Sequence, residues 1–244
     1  MHEVKEKPDL KQIQDKLINK LADAGWSSLL KAHLRSSEFE NIIEFLINEN
    51  HEGKRFTPAL KQLFRAFEEC PLDKVKVIMI GQDPYPYPLV ADGLAFSCGN
   101  LNKAEASLRY IKGAIEITVP FENKEVVDEN TENDLVRWSK QGVLLLNSAL
   151  TTEIGKIGKH VTQWKPFMEY LIDMLNWKES GLVWVFKGKQ AQAFESLVGD
   201  QHKIFTTTHP AYAAYIKSPI WDCNDVFNKI NKQLIEYKKE TIKW

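Results

Sequence analysis

The stretch from Val75 to Cys98 limits the possible folds more than any other part of the chain. Val75, Val77, Ile78, Met79 and Ile80 form an almost uninterrupted apolar run, the composition of a strand covered on both faces of a parallel sheet. Polarity then reverses in Gly81-Gln82-Asp83-Pro84-Tyr85-Pro86-Tyr87-Pro88, where three prolines and a leading glycine exclude regular structure and stiffen the chain. Open α/β sheets bind ligands beyond the carboxyl ends of their strands, and this loop belongs there. It carries a carboxylate, an amide and two phenols. A plain turn needs Gly, Asp and Pro, but has no use for Gln82, Tyr85 and Tyr87.

Three more apolar runs share this form: residues 143–147, 182–186 and 203–208. Between them lie stretches of helical spacing, expected at Ala104–Ile117, Leu135–Lys140, Trp164–Trp177, from Lys189 to about Leu197, and at Asn224–Tyr237. Upstream, Leu10–Leu21, Phe39–Ile47 and a segment from Pro58 through Phe67 read as amphipathic helices, and Trp26–Leu34 as a short apolar segment. The expected fold is α/β, with a central four-stranded parallel sheet flanked by helices on both faces. No repeat or linker divides the chain, so 1–244 reads as one domain with a helical N-terminal portion to about residue 57. Parallel strands bring their polar ends to one rim: Gln82 and Asp83, then Asn147, then Lys187 and Lys189, then His209.

Composition narrows the class. Hydrophobic residues make up 43%, enough for a core, which argues against disorder. A net charge of −1 gives no global attraction to nucleic acid, yet leaves room for a local basic face. Glu122–Asp134 holds six acidic residues against one lysine and reads as a solvated surface segment. Cys70, Cys98 and Cys223 are odd in number and far apart, matching neither a zinc site nor a disulfide framework and fitting a reducing compartment. The charged N-terminus is unlike a secretory signal, and no stretch approaches a membrane span. A cytoplasmic, monomeric protein with no membrane association is expected.

Taken together, GQDPY at 81–85, GLAFS at 93–97, LLLN at 144–147 and HP at 209–210 resemble the family 1 uracil-DNA glycosylases, over roughly Pro58 to Trp221. The resemblance implies DNA as partner, uracil as the released base, an abasic product, and neither metal nor cofactor. It assigns Asp83 to orienting water and stabilising a sugar cation, and His209 to hydrogen-bonding the uracil oxygen that gathers charge. By the same resemblance Asn147 reads the base, Phe96 stacks on it, Tyr85 blocks thymine's methyl and Gln82 lines the base pocket. The chemistry is consistent, because stretching a C1′–N1 bond calls for negative charge near the sugar and donors near the base. A side-chain amide also pairs with both N3–H and O4 of uracil, whereas cytosine inverts both partners.

The resemblance implies DNA contacts for Ser107, for Gly188-Lys189 in place of the family's Gly-Ser, and for the turn carrying Ala211, Tyr212 and Ala213. His160 lies near another family histidine, its spacing off by about one residue, and is equally readable as a surface-loop histidine. Three features depart from the family. Pro86 stands where a histidine is usual, as in poxviral members. Asn102–Ser107 replaces a proline-rich loop, and Ala213 replaces a leucine wedge. A wedge offsets part of the cost of unstacking a flipped base, so its loss predicts a preference for single-stranded DNA and a gain on duplex from Ala213→Leu. Two alternatives remain: a glycosylase for another modified base, and a non-catalytic DNA-binding or replication-accessory protein on the same fold.

Overall fold

The computed structural model describes residues 9–127, 132–178 and 180–244. The chain runs α1 (Leu10–Lys20), α2 (Ser27–Leu34), α3 (Ser37–His51), β1 (Phe56–Thr57), α4 (Arg65–Glu69), β2 (Val77–Gly81), α5 (Ala106–Thr118) and α6 (Val136–Lys140). It continues through β3 (Val143–Asn147), β4 (Thr152–Glu153), α7 (Val161–Lys178), β5 (Val183–Lys187), α8 (Lys189–Gln192), β6 (Lys203–Thr207), α9 (Pro210–Tyr215) and α10 (Val226–Glu236).

The four long strands form one parallel sheet in the order β3-β2-β5-β6. Every residue of β2 and β5 is buried, which is why both read as unbroken apolar runs. At the edge, β6 leaves Lys203 and Thr206 exposed, and its sequence is correspondingly mixed. Buried apolar side chains from Ile18 to Trp244 form one cluster around this sheet. The N-terminal helices join that cluster; Trp26, for example, donates its indole N–H to the Cys70 carbonyl at 2.8 Å. No helix among the described residues is long and apolar enough to cross a membrane.

Some local expectations change. The helix expected from Pro58 breaks into a 3-10 turn at Leu60–Gln62 and the short α4. Leu63, Phe64, Ala66 and Phe67 are all buried, so the segment is enclosed on several sides and no single amphipathic face develops. Helix α7 begins three residues before Trp164, which places Pro166 inside it and costs one backbone hydrogen bond. The stretch after His209 is a short helix, α9, with Pro210 in its first turn. Strands β1 and β4 pair antiparallel, Phe56 with Glu153 and Thr57 with Thr152. Two residues per strand are too few to leave a period-2 signature in sequence.

The acidic segment is only partly a solvated face. Residues 128–131 lie outside the described residues, but both carboxylate oxygens of Asp134 accept from Arg65 Nη2, at 3.0 and 2.7 Å. Glu132 pairs with Lys112 at 2.9 Å. The three cysteines are buried and unbridged.

Candidate active site

A pocket of about 250 Å³ opens beyond the carboxyl ends of the strands, lined by Gln82, Asp83, Tyr85, Phe96, Asn147 and His209 together with Ser107 and Ala211. Pockets for drug-sized ligands run to roughly 300–1,000 Å³, so this one suits a single ring. Its construction begins with register. Gly81 of β2 lies opposite Asn147 of β3, and the Gly81 carbonyl accepts from both the Ser148 amide and the Ser148 hydroxyl at 3.0 Å. The ladder continues past the strand, with the Ala149 amide donating to the Gln82 carbonyl at 3.2 Å. A side chain at Gly81 would put its Cβ 2.6 Å from Asn147 Oδ1 and 2.8 Å from Phe96 Cζ, so glycine is what lets both approach.

Asp83 is half-buried and accepts from the Gly158 amide. Burial pushes its carboxyl above the usual aspartate range, and the bond from Gly158 opposes the shift. Gly158 is delivered by the loop after β4. That loop is anchored by His160, a position the sequence left open between a DNA contact and a surface histidine. Neither holds: the side chain is completely buried. His160 Nδ1 lies 2.9 Å from the Thr151 hydroxyl and Nε2 lies 2.8 Å from Glu49. Trp164 donates its indole N–H to the same Thr151 oxygen at 2.7 Å. A carboxylate only accepts, so Nε2 donates to Glu49; with a neutral imidazole the chain then runs Trp164 to Thr151 to His160 to Glu49. Burial, which lowers the His160 pKa, agrees.

Phe96 presents its ring to the pocket from a backbone at φ +66°, a left-handed conformation that non-glycine residues rarely hold. The strain is held by its surroundings. Tyr85 donates its hydroxyl proton to the Phe96 carbonyl at 3.0 Å, and burial keeps that phenol protonated. Asp92, 1% exposed, accepts from the Leu94 amide at 3.2 Å, the Ser97 hydroxyl at 2.6 Å and the Gly99 amide at 2.9 Å. Arg65 completes the knot, with Nη1 3.2 Å from Asp92 and Nη2 donating to both oxygens of Asp134.

His209 caps α9, its Nδ1 accepting from the Ala211 amide at 3.2 Å. An accepting Nδ1 leaves the proton on Nε2, so the imidazole is a neutral donor by construction. Burial, with Lys187 contributing, pulls its pKa down to about 4. Its ring lies 5.7 Å from that of Phe96. Gly188, at φ +91°, lets the β5 terminus press against it; a Cβ there would fall 2.9 Å from His209 Cβ.

A carboxylate, an amide, a stacking ring and a neutral imidazole donor thus face one small cavity. The family model for the uracil DNA glycosylase superfamily matches residues 67–235, which include all of them. The chain is 34% identical to a uracil-DNA glycosylase of Acinetobacter baumannii over 237 residues, 96% of each protein. The chain belongs to the uracil-DNA glycosylase superfamily. A uracil-DNA glycosylase of Streptococcus thermophilus is 33% identical over 225 residues, covering 90% of this chain and 97% of that protein. The crystal structure of mimivirus uracil-DNA glycosylase superposes with a TM-score of 0.78 at 26% identity, covering 98% of this chain and 90% of that one.

On the rim of this glycosylase fold the expected DNA contacts separate. Ala213 is buried at 3% exposure and cannot reach a strand from where it sits, which corrects its assignment as a DNA contact. The helical turn of α9 rotates it inward and brings Tyr212 and Tyr215 out, 52% and 83% exposed, with their rings 6.4 Å apart. Ala211 and Lys189 are exposed, as a DNA contact requires. Ser107 is 5% exposed in the first turn of α5 and lines the pocket. Sequence reasoning missed Glu49, Thr151, Asp92, Arg65 and Gly158. All act through other residues, and partners brought together from distant segments leave no local pattern to read; Asp92, beside Gly93, is the one that adjoins a motif.

Proposed function

We propose that this chain hydrolyses the N-glycosidic bond of deoxyuridine in DNA, releasing uracil and leaving an abasic site. The reading rests on one observation, that Asp83 and His209 line the same one-ring pocket as Phe96 and Asn147. As the C1′–N1 bond breaks, its electron pair leaves with the base and the sugar becomes cation-like. Asp83, with one oxygen held by Gly158, stabilises that cation and orients the water that bonds to C1′. The water's proton passes to the Asp83 carboxylate. His209 donates from Nε2 to the uracil oxygen that gathers charge, while Asn147 pairs with N3–H and O4, Phe96 stacks, and Tyr85 and Gln82 close the pocket. One pocket in one chain holds every group the reaction uses, consistent with a monomer. The test is a labelled oligonucleotide with one uracil, incubated without metal and cleaved by alkali at any abasic site. Uracil release with thymine and cytosine untouched supports the reading; binding without release points to the accessory-protein alternative.

The pH profile follows from the two shifts. Asp83 acts as a carboxylate, and its pKa is raised above 3.8, so activity is lost as pH falls through that raised value. His209 is already neutral above about 4. The acid limb of kcat/KM therefore lies above the range of a free aspartate and is set by whichever of Asp83 and His209 takes up its proton first as pH falls. A limb at or below 3.8 contradicts this.

Single-stranded DNA is the favoured substrate in this proposal, since no leucine wedge is present and Ala213 faces inward. Ala213→Leu would press bulk into a packed site and costs about 1–3 kcal/mol of stability, with no gain on duplex. Tyr212 follows Ala211 at the pocket mouth and is the side chain available to fill the gap of a flipped base. Tyr212→Ala should slow duplex cleavage about ten-fold more than single-strand cleavage, some 1.4 kcal/mol of an unstacking cost of a few kcal/mol. Equal losses on both substrates would remove Tyr212 from that role.

A further inference from the structure

Lys187 ends β5 at the rim of the site, yet its side chain turns away from solvent and is completely buried. Its Nζ has no hydrogen-bond partner among the described residues. It sits instead between two aromatic faces, 4.6 Å from the Trp221 ring centroid and 5.2 Å from that of Phe227. A buried lysine without a carboxylate is costly, and the π faces compensate only in part. An apolar residue of the same length would fill this space at lower cost, so packing alone does not account for an amine here.

Its neighbours connect it to His209. Lys187 pairs in register with Thr207, and the next amide, Gly188, donates to the Thr207 carbonyl at 2.9 Å. Trp221, the ring over the ammonium, donates its indole N–H to the Thr208 hydroxyl at 3.0 Å. Thr208 immediately precedes His209. The turn that presents the imidazole is thus gripped on one side by Gly188 and on the other by the indole that Lys187 supports.

We propose that Lys187 is a positioning residue for His209: its ammonium, enclosed by Trp221 and Phe227, fixes the turn that presents the imidazole and places positive charge beside it, so that the imidazole stays a neutral donor. The charged and titratable groups facing Lys187 are Cys223, from the segment before α10, and His209 itself; α10 contributes the ring of Phe227 and β6 the hydroxyl-bearing Thr207. Burial pulls the amine down to about 7, and His209 lies lower still, at about 4. As pH falls, Lys187 takes up its proton first, and the resulting cation disfavours a second one on His209. The proposal rests on His209 being the donor to the base, as argued above.

The test uses the full chain with Lys187→Met and Lys187→Arg. The His209 imidazole is titrated by NMR in the free protein, so this arm reads whether or not uracil is the substrate. The midpoint should rise by about half a pH unit or more in Lys187→Met and stay low in Lys187→Arg, which keeps the charge. In parallel, the kcat/KM deficit of Lys187→Met on a single-stranded uracil substrate should grow as pH falls from 7 to 4.5, toward the range where His209 takes up its proton, although its thermal midpoint is no lower than that of the parent. An unchanged His209 midpoint in a folded Lys187→Met protein, or a deficit that is the same at both pH values, overturns the proposal. If Lys187→Met does not fold, Lys187→Gln carries the same comparison. Absence of uracil release by the parent protein would refute the glycosylase reading and leave the titration result standing.

Discussion

Asp83→Asn is expected to lower kcat for uracil release by about 10²–10⁴-fold while leaving the fold intact. The amide keeps the size of the carboxylate and can still accept from the Gly158 amide, so the loop after β4 stays docked. What disappears is the negative charge beside C1′ and the capacity to take a proton from water. Both matter most as the glycosidic bond breaks, so the loss falls on kcat, with KM little changed. Single-turnover cleavage of a labelled uracil oligonucleotide measures it directly. A variant within ten-fold of the parent would move the charge-stabilising role elsewhere in the pocket.

Asp92→Ala is expected to destabilise the protein by about 3–5 kcal/mol, because it removes one partner of a buried charged network. Three donors, the Leu94 and Gly99 amides and the Ser97 hydroxyl, lose their acceptor, and Arg65 keeps Asp134, Glu69 and the backbone carbonyl of residue 92. The same residues hold Phe96 in its left-handed backbone conformation, so activity falls beyond what the unfolded fraction explains. Urea denaturation gives the stability change, and uracil release measured well below the melting point gives the second effect. Asp92→Asn keeps the size and some acceptor capacity and should lose less on both counts. If Asp92→Ala unfolds at the parental urea midpoint, Asp92 is not the tether described here.

Much of this was legible in the chain itself. The four strands could be read because β2 and β5 are covered on both faces and β3 nearly so, which demands apolar residues at every position. Gln82, Asp83, Asn147 and His209 could be read because parallel strands put their polar ends at one rim, whereas the roles of Tyr85 and Phe96 came from the resemblance of GQDPY and GLAFS to the glycosylase family. Local chemistry also marked the loop after β2, where prolines and glycine leave few conformations.

Tertiary structure decided the rest, for a common physical reason: burial and partners depend on what comes from distant parts of the chain. His160 reads as a surface or DNA-contacting histidine until Glu49, 111 residues away, is brought against it. Asp134 reads as one of a run of solvated acids until Arg65 meets it across 69 residues. Ala213 reads as a shortened wedge until one helical turn rotates it inward and exposes Tyr212 and Tyr215 instead. Lys187 reads as half of a basic turn until Trp221 and Phe227 close over it. Sequence determined which groups stand at the strand ends, since hydrophobic periodicity is local. Only packing determined which of them face DNA, which hold others in place, and which charges are buried, since desolvation is set by the whole fold.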